Sequence, residues 1–363
     1  MTTQPKFCIA TNDNGYAAHK IAYYDDKAKR IVTLKVPAVI SSGHGQASAS
    51  GELMNAYSIV GSNGAETFTC SPNTDQPIDL RHAKYPLTTE NRVLFTHALN
   101  EAGLLDKQLQ MTITLPLADY YMPNGSINNA LVEQVIENFT QNNVQPDGGE
   151  NKGVTPQVMD LKVSPEAVAA WFDWAMDEQG NVNDNFVEMA EDDGLVLVVD
   201  VGGSTTDIVA LTLGADHQLT VLNEKSGTSK IGVLDVIGFM EERFIARLCE
   251  EGVIQGTGHE NLLSSKMLER MLTAETIRFG GQPRAVADIR EEGTRAVAGR
   301  IVNFIRNKAG NTLSYHSIIV VGGGSIVFKD ALASELGGNA IFLDEFANAR
   351  GALKLALSMR EDG

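Results

Sequence analysis

The chain has 363 residues and a formal net charge of −17, from 29 Lys and Arg residues against 46 Asp and Glu residues. Hydrophobic residues make up 43% and charged residues 21% of the sequence, an ordinary globular composition that argues against wholesale disorder. The acidity argues against a surface built to hold nucleic-acid phosphates, because such surfaces need basic patches. A basic adaptor protein could still link the chain to DNA.

The cysteines and the apolar runs bear on the compartment. Cys8, Cys70 and Cys249 are isolated and odd in number, so they suggest neither a metal site nor a disulfide framework and indicate a reducing environment. No apolar run reaches the roughly 18–20 residues that cross a bilayer, and residues 1–6 lack the apolar stretch of a signal peptide. We therefore expect a soluble cytoplasmic protein.

The first half of the chain opens with a predicted meander of three strands and continues as alternating helices and strands. Short runs rich in apolar residues and bounded by Gly, Asp and Asn are typical of strands. Two stretches rich in Gly, Ser, Asn and Gln, 41–51 and 141–153, are expected to be loops. The first expected strand runs from Phe7 to an Asp-x-Gly turn at 13–15, and the later expected strands are 19–24, 31–40 and 111–117. The expected helices are 90–103 and one that begins at residue 164.

The second half repeats this order after a polar and acidic stretch that places a boundary near residue 193. Five apolar residues at 195–199 lead into Asp200, and two more strands complete a second meander. The alternation that follows argues for α/β layers with mixed sheets. The expected strands are 195–199, 207–213, 218–223, 317–321 and 340–343, and the expected helices are 233–249, 289–307, 325–336 and 345–359.

The strongest local signal is the segment DVGGSTTD at 200–207, which follows a buried type of strand. Gly202 and Gly203 let the backbone turn tightly and direct its N–H groups at an anion, and Ser204 and Thr205 add hydroxyl donors. Asp200 can hold Mg²⁺ through water. The alternative is a hairpin turn with small polar residues, which is common for a lone Asp-x-Gly but less so for all eight residues.

The turn at 13–20 repeats the acid and the glycine, as Asp13 and Gly15, and adds Lys20. If the two meanders are related by a pseudo-twofold axis, both turns would hold one polyphosphate from opposite sides, with Lys20 supplying positive charge. Taken alone this motif is weak, and Lys20 would more often be a surface lysine. The inference therefore depends on the paired placement.

Two further features are less specific. Gly322, Gly323 and Gly324 stand between a strand and a helix, where they allow a ribose or planar ligand to approach the backbone, although close packing would also need glycine. Glu166, expected in the first turn of a helix, could polarise an attacking water. An acid there is also ordinary helix-dipole chemistry, and sequence physics alone favours that simpler explanation.

Several common motifs do not occur. There is no G-x-x-x-x-G-K-[ST] loop and no G-x-G-x-x-G after a strand, which argues against P-loop and dinucleotide-binding proteins. The absence of a G-x-S-x-G elbow argues against a serine hydrolase of that type. The seven histidines are scattered, which argues against a zinc enzyme.

Segments 13–20, 200–207 and 322–324, taken together and in this order, resemble the two phosphate motifs and the adenosine motif of the actin-like ATPase superfamily. The stretches LNEAGL at 99–104 and TLPLADYY at 114–121 resemble those of its plasmid-segregation branch, the ParM/StbA proteins, as does VSPE at 163–166. SKIGV at 229–233 and FANARG at 346–351 also have counterparts there. The resemblance covers most of the chain.

The resemblance implies an α/β, two-lobed actin-like fold, a duplicated RNase H-like fold, with ATP and Mg²⁺ in the cleft between lobes. Lobe I would comprise 1–193 and 344–363, and lobe II 194–343. By position, the resemblance assigns Asp13 and Asp200 to hydrated Mg²⁺, Glu166 to the attacking water, and Gly322, Gly323 and Gly324 to the nucleoside. The phosphate contacts would be Gly15, Lys20, Gly202, Gly203, Ser204 and Thr205.

One departure concerns the first phosphate loop, where Tyr16 and Ala17 stand in place of the Ser-Thr of the best-known members. The change removes two hydroxyl donors. The resemblance nevertheless implies an ATPase that polymerises head to tail with ATP and segregates plasmid DNA through a basic DNA-binding adaptor. A monomeric phosphotransferase of the sugar-kinase kind and a nucleotide-binding scaffold without turnover are the alternatives.

Overall fold

A computed structural model describes residues 7–61, 66–74, 76–191, 194–214, 218–255 and 262–360. The chain divides into two compact units: unit 1 is Met1–Glu188 with Phe346–Gly363, and unit 2 is Met189–Glu345. The acidic residues Asp192 and Asp193, near which the sequence suggested a boundary, lie outside the described residues. Met189 is fully buried, and its carbonyl accepts a hydrogen bond from the Gly194 N–H.

The following strands and helices lie between Cys8 and Glu191. The strands are β1 (Cys8–Asn14), β2 (Ala18–Asp25), β3 (Arg30–Pro37), β4 (Ile40–Ser42), β5 (Ala56–Ile59), β6 (Thr67–Cys70), β7 (Gln108–Leu115), β8 (Val144–Pro146) and β9 (Gln157–Pro165). The helices are α1 (Thr89–Glu101), α2 (Leu117–Tyr120), α3 (Asn129–Phe139), α4 (Val168–Ala175) and α5 (Asp184–Glu191), the last of which crosses into unit 2.

Unit 2 and the return of the chain to unit 1 supply the remaining elements. The strands are β10 (Val196–Val201), β11 (Thr206–Leu213), β12 (Leu219–Val221), β13 (Gly227–Ser229), β14 (Thr276–Phe279), β15 (Gln282–Ala285), β16 (Ser317–Val321) and β17 (Ala340–Phe342). The helices are α6 (Val233–Glu250), α7 (Ser265–Met271), α8 (Ala287–Ala309), α9 (Gly324–Val327), α10 (Lys329–Leu336) and α11 (Ala347–Ser358), with α11 in unit 1.

The main sheet of unit 1 has the order β3-β2-β1-β7-β9. The predicted meander is confirmed, since β2 pairs antiparallel with both β1 and β3, whereas β7 lies parallel to β1 and β9. Both faces of the sheet are covered by helices. On β2, Ile21 packs in one cluster with Phe95 of α1, and the next residue, Ala22, packs with Leu353 of α11, as the two-residue period of a strand requires.

A second sheet in unit 1 was not predicted. Its order is β4-β6-β5-β8, and β4 and β8 lie within or at the edge of the stretches 41–51 and 141–153 that were expected to be loops. That expectation was wrong for residues 41–42 and 144–146, because Ile40 and Val144 enter a buried cluster with Tyr57 and Tyr85 and carry these short segments into the sheet. Strands of three residues carry too little periodicity to be detected.

The main sheet of unit 2 has the order β12-β11-β10-β16-β17, with β13 also paired to β11. The second meander is confirmed. All six residues of β10 are buried, which explains its continuous apolar run. The helix expected over 325–336 is interrupted at Phe328, whose side chain is fully buried and whose backbone, at φ −99° and ψ 3°, separates α9 from α10. Among the described residues, no helix combines the length and apolar character needed to span a membrane.

Candidate functional site

The carboxyl ends of three parallel strands meet at one edge of the unit 1 sheet. Asp13 is the second-last residue of β1, Thr114 is the second-last residue of β7, and Glu166 directly follows β9. β7 pairs in parallel with both of its neighbours. In open α/β sheets, ligands bind outside the carboxyl ends of the strands, so this edge is the expected place for a site.

Asp13 contacts two side chains at this edge. It is 3% exposed, Lys20 Nζ lies 2.9 Å from its Oδ2, and the Thr114 hydroxyl donates to its Oδ1 at 3.0 Å. The ion pair follows from the hairpin register, in which Asp13 and Lys20 are directly opposite. Lys20 is therefore a mostly buried partner of Asp13, with 14% of its side chain exposed. It is not the surface lysine that the motif taken alone would more often indicate.

Glu166 lies beside this pair, but the local structure differs from the prediction. The helix expected from residue 164 onward does not begin there, because Ser164 and Pro165 belong to β9 and pair with β7 as far as Leu115. The Glu166 N–H extends this pairing by donating to the Leu115 carbonyl at 2.8 Å. Since α4 begins only at Val168, Glu166 precedes the helix and does not occupy its first turn.

Thr114 links the two carboxylates. Its hydroxyl oxygen lies 3.0 Å from Asp13 Oδ1 and 3.5 Å from Glu166 Oε1, so one hydroxyl proton is within reach of both acids. Sequence reasoning did not single out Thr114, although it lies in the TLPLADYY stretch. The signal that could have found it is its place at the carboxyl end of a buried strand, immediately before Leu115 and Pro116.

The turn between β1 and β2 consists of Gly15, Tyr16 and Ala17. Tyr16 is half-buried and packs against Tyr85, with ring centroids 5.1 Å apart. Burial, and to a smaller degree the charges of Asp119 and Glu166, raise the pKa of Tyr16, which keeps its hydroxyl protonated. The residue that replaces the Ser-Thr pair therefore fixes the turn to the buried cluster beside the small sheet.

Behind this turn, a buried polar chain fixes the tautomer of His19. Asn12 Nδ2 lies 3.0 Å from His19 Nδ1, and His19 Nε2 lies 2.9 Å from the Tyr85 hydroxyl. The amide can only donate from Nδ2, so Nδ1 accepts and Nε2 carries the proton. Burial, with a smaller contribution from His97, lowers the pKa of His19 to about 3, and His19 is neutral at neutral pH.

The corresponding hairpin of unit 2 carries the second predicted phosphate motif. Asp200 is 7% exposed, and its cross-strand neighbour is Asp207, where unit 1 has a lysine. Asp207 accepts hydrogen bonds from the hydroxyls of Thr205 and Thr228. Two carboxylates directly opposite each other are unfavourable unless donors or cations compensate them, and these two hydroxyls supply such donors to Asp207.

Helix α6 begins against the same hairpin. Val233 and Leu234 donate their N–H groups to the carbonyls of Gly202 and Gly203, at 3.2 and 2.8 Å. A Cβ on Gly232 would lie 2.4 Å from the Gly203 oxygen, so only glycine fits there. The hairpin carbonyls are thereby turned toward α6. Ser204 is exposed and Gly203 has no neighbouring atom within 4 Å of a built Cβ, which leaves that side open to a ligand.

The three glycines after β16 have different reasons for lacking a side chain. A Cβ on Gly322 would lie 2.3 Å from Asp200 Oδ1, and one on Gly324 would lie 2.5 Å from Val201 Cγ1. Close packing on β10 therefore requires both glycines, which agrees with packing rather than ligand approach as the reason for glycine at these two positions. A Cβ on Gly323 would meet no atom within 4 Å, so among the three it is the one with space for a ligand.

The donor set suits a hydrated magnesium ion in part. Among the described residues, no group of three or more His, Cys, Asp or Glu side chains is arranged to hold a metal ion. Mg²⁺ usually keeps several waters and needs only one or two carboxylates, which Asp13 or Asp200 could supply. Within the same described residues, Asn14 Oδ1 is buried without a hydrogen-bond partner, so an acceptor beside Asp13 is available to a water of such an ion.

Two family models match the chain. Residues 9–177 match the model described as plasmid segregation protein ParM, N-terminal, and residues 198–334 match the model described as archaeal actin homologue MreB-like, C-terminal. No curated protein sequence matches the chain.

Solved structures with the same fold cover nearly the whole chain. A ParM filament of 15 strands from Clostridium botulinum has a TM-score of 0.73 at 18% identity, covering 96% of this chain and 98% of that one. An archaeal actin homologue in complex with ADP has a TM-score of 0.68 at 20% identity, with coverage of 96% and 98%. Bacillus thuringiensis ParM with ATP has a TM-score of 0.60 at 16% identity, with coverage of 96% and 97%.

Proposed function

We propose that the chain is an actin-like ATPase that polymerises in the presence of ATP; the match of residues 9–177 to the model described as plasmid segregation protein ParM, N-terminal, and the fold shared with a ParM filament from Clostridium botulinum support this proposal. Hydrolysis would destabilise the filament, and a basic DNA-binding adaptor would connect the filament to a plasmid centromere. The free thiols of Cys8, Cys70 and Cys249 are compatible with action in the reducing cytoplasm.

The observation that carries this proposal is the convergence of Asp13, Lys20, Thr114 and Glu166 at one sheet edge. It brings two acids within the reach of the Thr114 hydroxyl and pairs the first acid with a cation. Phosphoryl transfer needs these parts, because its transition state is stabilised by positioning and by charge rather than by covalent chemistry.

Each predicted site residue has a role in this proposal. Asp13 and Asp200 would hold hydrated Mg²⁺, which would supply positive charge to the phosphate oxygens. Gly322, Gly323 and Gly324 line the nucleoside, with the open space at Gly323 as the support for that contact. The phosphate contacts are the backbone N–H groups of Gly15, Gly202 and Gly203, the hydroxyls of Ser204 and Thr205, and Lys20 Nζ.

Glu166 orients the attacking water in this proposal. One carboxylate oxygen accepts a hydrogen bond from the water and takes its proton as the water oxygen bonds to the γ-phosphorus and the bond from that phosphorus to the β–γ bridging oxygen breaks, which releases ADP. Lys20 donates to phosphate oxygens, and its present bond to Asp13 keeps its charge at that edge of the sheet before the nucleotide binds. The Thr114 hydroxyl keeps the two carboxylates at a fixed spacing.

Polymerisation would couple this chemistry to movement. A head-to-tail interface that does not close into a ring produces a filament. Loss of the γ-phosphate removes contacts that favour one conformation, and the equilibrium shifts toward the other. The Clostridium botulinum filament supports self-association as the working state of a protein with this fold.

Sedimentation and light scattering with ATP, ADP or no nucleotide test the proposal. We expect scattering to rise after ATP is added, to decay as phosphate is released, and to stay at baseline without nucleotide. A chain that stays monomeric with ATP at high concentration would overturn the filament proposal. If ATP binds and no phosphate is released above the buffer rate, the chain is a nucleotide-binding scaffold, an alternative that the burial of Tyr16 in place of Ser-Thr supports.

A further inference from the structure

The residue between Glu166 and helix α4 has an unusual backbone conformation. Ala167 has φ 63° and ψ −45°, and the Val168 N–H donates to the Glu166 carbonyl at 2.7 Å. This is a γ-turn with positive φ, a rare and strained conformation for a residue with a side chain. Such strain persists only where surrounding contacts enforce it, and it concentrates at functional sites.

A side chain from the C-terminal helix holds this turn. Asn348, in the first turn of α11, accepts a hydrogen bond from the Ala167 N–H at 3.0 Å. Asn348 is 4% exposed and Ala167 is fully buried, so water does not compete for this bond. An alanine N–H that turned away would leave a buried acceptor without its donor, which is unfavourable.

The same turn of α11 also contacts the strand that carries Asp13. Thr11 lies two residues before Asp13, and its Oγ1 donates to the carbonyl of Ala349 at 2.7 Å. Close packing fixes the position of α11 against α4, because a Cβ on Gly351 would lie 1.8 Å from the Ala169 carbonyl oxygen. One turn of α11 therefore contacts both backbone segments that carry the acids of the site.

We infer that Asn348 is a positioning residue for the reaction: its side-chain oxygen holds the γ-turn at Ala167 and so sets the direction of the Glu166 carboxylate. The inference rests on the proposed function of Glu166. It differs from a purely structural role of Asn348, in which the side chain only helps α11 pack on α4.

The test compares Asn348→Ala with Asn348→Asp, which keeps an acceptor oxygen. We expect Asn348→Ala to lower kcat for phosphate release at least about tenfold while KM for ATP changes by less than about threefold, because the water is misplaced and the nucleotide contacts remain. Asn348→Asp should recover most of kcat. Adding Ala167→Gly to Asn348→Ala should recover part of it, since glycine adopts positive φ without strain.

Arg350→Gln is the matched control on the same helix. Arg350 donates from Nε to Asp173 of α4 at 2.8 Å, a contact that belongs to the packing of α11 on α4. This variant should lower the thermal midpoint and leave kcat of the folded protein within about twofold. Equal losses of kcat in Asn348→Ala and Arg350→Gln would overturn the positioning role.

A second measurement does not depend on turnover. Hydrogen exchange at the Ala167 and Val168 amides should be slow in the natural protein and in Asn348→Asp, and faster in Asn348→Ala, with exchange in β7 unchanged. Unchanged exchange at these two amides in Asn348→Ala would overturn the inference even if the natural protein releases no phosphate. In that case the absence of turnover would count against the proposed function alone.

Discussion

Asp13 and Asp200 occupy equivalent places in their hairpins, but their cross-strand partners differ. Asp13 faces Lys20, with Nζ 2.9 Å from Oδ2, whereas Asp200 faces Asp207. The unit 1 hairpin is thus compensated internally, and the unit 2 hairpin carries two neighbouring acids. The two hairpins therefore place different charges beside their acids.

The role of Glu166 predicts the phenotype of Glu166→Gln. The amide keeps the size of the side chain but cannot take a proton, so phosphate release should fall at least about a hundredfold while ATP binding is retained. Polymers should form with ATP and persist, as light scattering would record. The exposed Glu178 provides the control Glu178→Gln, which should behave as the natural protein. Polymers of Glu166→Gln that disassemble at the normal rate would show that the role is misassigned.

Two buried histidines predict a loss of stability in acid. Burial lowers the pKa of His97 to about 4 and that of His19 to about 3. Below the ordinary histidine pKa of about 6.5, the unfolded chain binds protons that the folded chain does not. The free energy of unfolding should therefore fall as pH drops from about 6.5 toward 4, by up to roughly 1.4 kcal/mol per pH unit for each histidine.

Urea unfolding at several pH values between 7.5 and 4.5 measures this dependence. His19→Gln should be less stable at pH 7.5, because its bonds to Asn12 and Tyr85 change, but its stability should depend less on pH by about one histidine's share. His82 is exposed, and His82→Gln should keep the natural slope. An unchanged slope in His19→Gln would contradict the assignment of a neutral His19.

At the scale of elements, helix α11 packs closely on helix α4 in unit 1. Asp173 is buried and binds Arg350 in a bidentate ion pair, and Lys354 Nζ donates to the carbonyls of Asp173 and Met176, both at 2.8 Å. Gly351 lets the two backbones approach. The contact secures the helix that follows Glu166, and it joins residues about 180 positions apart in the sequence.

Gly351→Ala should separate these helices. The new Cβ would lie 1.8 Å from the Ala169 oxygen and 2.7 Å from the Asp173 nitrogen. Such overpacking lowers the free energy of unfolding by about 1–3 kcal/mol or more. The loss should exceed the gain of about 0.5–1 kcal/mol that alanine brings inside a helix. Denaturant unfolding of the variant measures the difference.

Gly238 in α6 is the matched control for that substitution. It is exposed, and a Cβ there meets no atom within 4 Å, so Gly238→Ala should be neutral or stabilising by about 0.5–1 kcal/mol. If Gly351→Ala proved as stable as Gly238→Ala, the close approach of α4 and α11 would be wrong.

At the scale of the whole molecule, the proposed coupling of assembly to chemistry separates the filament from a sugar kinase. A filament protein should hydrolyse ATP slowly per subunit at low concentration and faster above a critical concentration, because assembly favours the active conformation. A kinase should show a rate per subunit that is independent of protein concentration and rises with a hydroxyl acceptor.

Phosphate release measured over a range of protein concentrations, with and without glucose or glycerol, distinguishes the two. We expect an upward break with concentration and no response to either acceptor. A constant rate per subunit that increases with an acceptor would favour the phosphotransferase and would contradict the filament.

The sequence by itself determined the two meanders, the alternation that follows them and the segments that end in Asp13 and Asp200. These features are local: apolar runs, turn glycines and acids at strand ends are readable within about ten residues. The tertiary structure alone decided that 164–165 is strand, that Thr114 lies between Asp13 and Glu166, and that Asn348 holds Ala167. Those outcomes depend on parallel strand pairing and helix packing between residues 50 to more than 180 positions apart. Such contacts override the local preference of a Ser-Pro-Glu segment for a helix start, because they satisfy the backbone hydrogen bonds of that segment in a buried sheet.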